Sequence, residues 1–142
     1  MDAYEFFHQI VVPNCEEALR PPYNLRLAWN AIVSLNTVPE FIVLHRLDFK
    51  TDVDRDLLYR ETETIRKKYP ALAQLNNEAI KLKHVRRLSR KQNELLSSFT
   101  SSTSHLISEP TPAELLKTVR DALQIFQTME EFPELCPLNR TV

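Results

Sequence analysis

The residues best equipped for chemistry lie between Lys81 and Lys91, in the run KLKHVRRLSRK, where six cations and one histidine occupy eleven positions with no acid among them. Such a run attracts phosphates or carboxylates by charge, and His84 within it reads as a packing residue ahead of a general acid or base. With Lys81 at 0° and a step of about 100° per residue, Leu82, Val85 and Leu88 gather between roughly 340° and 100°. On the same scale Lys83, Arg86, Arg87, Arg90 and Lys91 gather between roughly 140° and 280°, and His84, at about 300°, borders both groups. The spacing therefore predicts an amphipathic helix whose charges stand opposite its apolar stripe.

Charge along the chain is segregated. From Arg66 to Lys91 there are nine basic residues and one acid, Glu78, whereas the remainder holds nine basic and eighteen acidic residues. An ordinary wet helix face mixes both signs and gains pairs three or four residues apart. A separated one concentrates an anionic partner, either nucleic acid or an acidic protein surface. Carboxylates from the preceding Asp48–Glu63 stretch are the alternative complement. No aromatic residue falls between Tyr69 and Phe99, which leaves the basic segment without a base-stacking side chain of its own.

Other constellations carry less. His8, His45, His84 and His105 lack metal-ligand spacing, and Cys15 and Cys136 stand far apart as ordinary free thiols, so neither metal nor cofactor is expected. The chain contains no glycine at all. Without it there is no P-loop, no dinucleotide fingerprint and no G-x-S-x-G nucleophile elbow. Primed hairpin turns are also disfavoured, so the composition points to an all-α fold. No apolar run approaches the roughly eighteen residues a membrane span needs, and the start, MDAYEFFHQIVVPN, lacks a basic signal region. These features fit a soluble cytoplasmic protein with no membrane partner.

At 142 residues one domain is expected. Its first helix starts at Asp2, capped reciprocally with Glu5, places Phe6, Phe7, Ile10, Val11 and Ala18 on one side, and meets Pro13, where a kink or break is predicted. The second runs from about Tyr23 to Leu44 and is apolar nearly all round, except for a stripe of Arg26, Asn30, Ser34 and Thr37 that reads as a satisfied core network; Pro39 predicts another kink or break. The third, with Thr51 or Asp52 as N-cap, turns Val53, Leu57, Leu58, Ile65 and Tyr69 inward and stops at Pro70. The fourth follows with Leu72, Leu75, Ala79, Leu82, Val85 and Leu88 at three-four spacing. A Ser/Thr-rich loop at about 97–110 precedes a last helix with Thr111 as N-cap, Pro112 at N1 and Glu114 at N3, whose inward stripe is Leu115, Leu116, Val119, Leu123, Phe126 and Met129.

The stretches FFHQIVVPN, LRLAWNAIVSLN and ALQIFQTM, together with Lys83 and His84 inside a helix, resemble a group of small bacterial helical proteins similar to the HEPN superfamily. The resemblance implies an antiparallel, up-and-down bundle of four or five helices, commonly a homodimer, and in many members cutting of RNA by an arginine with a histidine four to six residues later. No arginine precedes His8, and none stands in the windows before His45, His84 or His105; Ile80 occupies the place of an asparagine three residues before the Lys-His pair. Only Lys83 and His84 match as a site. The expectation is a non-catalytic interaction module of about five helices, acting through Lys83, His84, Arg86, Arg87, Arg90 and Lys91. The alternatives are a metal-independent ribonuclease using His84 and an antitoxin-like, protein-binding subunit.

Overall fold

The computed structural model describes residues 1–47, 54–94, 111–128 and 130–136, with the side chains of 83–94 outside the described set. Its elements are α1 (Ala3–Phe6), a π-helical turn (Phe7–Val11), α2 (Val12–Leu19), α3 (Leu25–Arg46), α4 (Arg55–Lys68), α5 (Pro70–Glu94), α6 (Pro112–Thr128) and a 3-10 turn (Pro133–Leu135). Together they form an all-α helical bundle with no strand among the described residues. The Ser/Thr-rich segment, Val53 and Met129 lie outside them, as do the side chains of Val85 and Leu88.

Local sequence sets the helix starts. Glu5 N–H donates to Asp2 Oδ1 at 2.8 Å while Asp2 N–H donates to Glu5 Oε2 at 3.3 Å, and Thr111 and Glu114 make the same reciprocal pair at 3.2 and 3.0 Å. Asn24 caps α3 through Arg26 N–H. The cap of α4 is Asp54, which accepts from Asp56 N–H at 2.9 Å, not Thr51 or Asp52; the carboxylate stands where the orphan amides and the positive helix end both reward it.

Neither proline breaks its helix. Before Pro13 the chain widens into the π turn, which gives the ring room against the Gln9 carbonyl, and resumes α geometry at Val12. Pro39 sits buried inside the unbroken 22-residue α3. This helix packs against α2, α4, α5 and α6. Contrary to the expectation from the sequence, it is long and apolar enough to cross a membrane, with a mean hydropathy of 1.4 over its best window, because single polar residues interrupt the apolar ones without lowering the average much; half of that window is buried among the other helices. Phe6 stacks on Phe41 with centroids 4.3 Å apart, and Phe7, Phe126 and Phe132 meet edge to face toward the C-terminal turn.

Pro39 has no N–H for the Leu35 carbonyl, and its ring loosens the turn it enters. One residue on, the Asn36 carbonyl accepts Arg66 Nη2 from α4 at 2.7 Å. Arg66 is only 8% exposed, and Glu63 at 3.2 Å and Glu40 at 3.4 Å balance its charge. Sequence pattern had placed Ile65 and Leu58 inward on α4; Ile65 is buried and Leu58 half-buried, but Arg66 and Thr62 are buried as well. On α3 the polar stripe also differs: Arg26 and Asn30 are exposed, so they form no core network, whereas Ser34 is buried with its hydroxyl donating to the Ala31 carbonyl, and Val33 takes the outward position. The hydroxyl's bond to its own helix is what makes Ser34 acceptable inside.

Two stability measurements follow. Arg66→Met should lower unfolding free energy by about 2–4 kcal/mol in urea titrations, because it removes the bond to the Asn36 carbonyl and leaves the largely buried Glu63 without its cation. A loss below about 1 kcal/mol would contradict a structural role for this contact. Thr62 Oγ1 is buried with no protein partner, so Thr62→Val should stabilise the chain by about 0.5–2 kcal/mol.

Candidate anion-binding surface

Helix α5 runs without interruption from Pro70 to Glu94, so Lys83, His84, Arg86, Arg87, Arg90 and Lys91 share one helical rod, as their spacing predicts. Their side chains lie outside the described residues. The register of the rod is nevertheless informative. On the scale that sets Lys81 at 0°, the buried Leu72, Leu75 and Ala79 fall between about 120° and 180°, and the buried Glu78 at about 60°. The exposed Asn77 and Ile80 fall at about 320° and 260°. The core line of the first half of α5 is thus rotated from the one that Leu82, Val85 and Leu88 define. In register, Arg86 and Arg90 continue the line of Leu72, Leu75 and Ala79, while His84, Arg87 and Lys91 continue that of Asn77 and Ile80 in steps of three and four.

Upstream, the basic span is largely neutralised. Arg66 is held by Glu40 and Glu63, Lys68 by Glu131, and Lys81 lies 3.4 Å from Glu78. Part of the expected complement therefore comes from the preceding helix, through Glu63. Glu78, the lone acid of the span, is 3% exposed; its Oε1 accepts Gln74 Nε2 at 2.7 Å and its Oε2 is buried without a protein partner. A negative charge so placed draws Lys81 inward and subtracts it from the outer surface.

A second ionic cluster secures the C-terminal turn. Arg46 Nε donates to Glu134 Oε1 and its Nη2 to the Glu131 carbonyl, both at 2.7 Å, while Lys68 pairs with the Glu131 carboxylate. Burial alone would raise the Glu131 pKa, but hydrogen bonds from Lys68 and Tyr69, with the charges of Lys68 and Arg46, outweigh it and hold the carboxyl below its ordinary value. The same contact raises Tyr69. Phe132 and Leu135 are buried beneath this clamp, and His8 donates from Nε2 to the Leu135 carbonyl at 2.8 Å. The sequence reading missed this docking: two prolines near the end look like termination, and nothing local shows that Glu131 and Glu134 have cations waiting on other helices.

Elsewhere, a cleft of about 650 Å³ separates the start of α5 from α6, with Lys117 on its rim paired to Asp121 at 3.7 Å. Another of about 510 Å³ is walled by Phe7, His8, Phe126, Phe132 and Cys136. Among the described residues no three His, Cys, Asp or Glu side chains come together as a metal set. Both cysteines are free thiols, and burial, helped by Glu16, pushes Cys15 up to about 12, which keeps it protonated and unreactive.

A carboxyl held below its unfolded pKa stabilises the fold above that value and loses the effect as pH falls through the folded one. Wild type should therefore exceed Glu131→Gln in urea stability at pH 7, and the gap should close below about pH 4, the usual glutamate range. A gap independent of pH would show that the Glu131 charge adds nothing.

No family model, curated protein or solved structure matches this chain, so its function has to be argued from the residues above.

Proposed function

We propose that the chain is a non-catalytic helical module that binds a polyanion, nucleic acid foremost, along α5 between about 81 and 91. The observation that carries this reading is the fate of the basic span. Arg66, Lys68 and Lys81 are each matched by carboxylates, whereas the five cations from Lys83 to Lys91 follow on the same helix with no acid until Glu94. Charge close to neutrality overall does not oppose it, because a polyanion responds to local potential within about a Debye length, roughly 10 Å at 0.1 M salt.

Phosphate contacts of this kind release counterions. If about five phosphates are neutralised, log K against log salt for a duplex should fall with a slope near −4 to −5. Arg87→Glu with Lys91→Glu should weaken binding at low salt and flatten the slope by about two or more. Affinity that ignores salt would remove the proposal. The same preparations, incubated with RNA under EDTA, test the ribonuclease alternative: cleavage present in wild type and absent in His84→Ala would replace a binding module with an enzyme.

A further inference from the structure

We infer that α3 forms the second wall of this surface and that the ligand is a single-stranded polynucleotide, its phosphates on the basic segment and on Arg26 and one base against Trp29. The inference rests on the reading of α5 as an anion-binding helix and names the ligand class.

The placement follows from described contacts. Arg46, at the end of α3, and Lys68, two residues before α5, both bind Glu131, so the end of α3 and the start of α5 share one end of the bundle. Farther along, Asn36 Nδ2 donates to Asn76 Oδ1 at 3.2 Å. Moving away from Glu131 therefore means descending in number on α3 and ascending on α5. One turn beyond the Asn36–Asn76 contact, Val33 and Ile80 come level, 46% and 41% exposed. At about 1.5 Å per residue, Trp29 and Asn30 stand about two turns from the Asn36–Asn76 contact on α3, as residue 84 does on α5, and Arg26 and residue 87 stand about three turns from it.

The chemistry of that face is mixed in a particular way. Arg26 and Asn30 are exposed on α3, Asn77 is exposed on α5, and Trp29 is half-buried, anchored on the core while still reaching the surface. Single-strand surfaces combine a cationic track for the backbone with aromatic faces on which bases stack. Helix α5 has the cations and no aromatic residue; α3 supplies the aromatic one. An indole fixed by core packing loses little entropy on stacking, and Val33 and Ile80 give an apolar floor to the adjoining base or sugar. The amides of Asn30 and Asn77 can both donate to and accept from base edges. A duplex keeps its bases stacked inside, so it would reach the cations but offer Trp29 no open base.

Trp29 is the single tryptophan of the chain, so its emission reports on this one place. The full-length protein would be titrated at low salt with a mixed-sequence single-stranded oligonucleotide, the matching duplex and linear polyphosphate. The expected result is quenching by the single strand alone, with polyphosphate displacing the strand and restoring emission. By anisotropy, Arg26→Ala should weaken the strand severalfold. Trp29→Leu, with its fold checked by circular dichroism, should weaken it roughly fivefold to a hundredfold while leaving polyphosphate affinity unchanged. Equal binding of all three with unaltered emission would overturn the α3 wall and leave α5 as a plain anion surface. Binding of none would overturn both.

Discussion

The buried Arg66 guanidinium reaches from α4 to the Asn36 carbonyl on α3, in the turn that contains Pro39, and fixes how α4 seats on the central helix. A proline in the middle of the central helix deprives one carbonyl of its donor and weakens its neighbour. Helix α3 nevertheless runs unbroken from Leu25 to Arg46. Arg66 adds a donor one residue along, at the Asn36 carbonyl, and Glu40 and Glu63 flank the guanidinium. A buried ion pair of this kind is a weak contributor to net stability but a strict one for geometry, since any other seating of α4 strands the charge. The same residue, Asn36, meets Asn76 through its side chain, so the register of α5 is tied to the same turn.

That arrangement also sorts the charges. The Arg66–Lys91 span looks uniformly basic, yet three of its cations have carboxylate partners: Arg66 is buried beside Glu40 and Glu63, Lys68 joins the C-terminal clamp and Lys81 pairs with Glu78. What continues past Lys81 has no such partner within its own stretch of sequence. The cations with described carboxylate partners, Arg66 and Lys68 on α4 and Lys81 on α5, thus precede the run from Lys83 to Lys91 to which the binding role is proposed. The clamp adds its own constraint, because Phe132 and Leu135 are buried beside the pairs that Arg46 and Lys68 make with Glu134 and Glu131.

Much of the fold was legible in the sequence wherever the cause is local. The reciprocal caps at Asp2 and Thr111 lie within three residues of their partners, and the stripes Phe6–Phe7–Val11 and Leu115–Leu116–Val119–Phe126 follow from spacing alone. Legibility failed where the deciding partner is distant. Arg66 reads as surface because its acceptor is thirty residues away, and Glu78 reads as a lone surface acid. Ser34 and Val33 exchange places because a hydroxyl can satisfy itself on its own helix. The basic run was visible at once, but its orientation was not: the core line defined by Leu72, Leu75 and Ala79 turns relative to the one that Val85 and Leu88 suggest. The proposed part of α3 in that surface rests on the register of two helices, which no single stretch contains.

The account is tested most directly by mapping amide chemical shifts of the nitrogen-15-labelled chain during titration with a single-stranded oligonucleotide at low salt. It predicts movement at Arg26, Asn30 and Val33 on α3, at Asn77 and Ile80 on α5 and through residues 83–91, fading as salt rises, while the amides of Phe132 and Leu135 stay still. Shifts centred instead on Lys117 and the cleft between α5 and α6, or confined to the C-terminal turn, would contradict it.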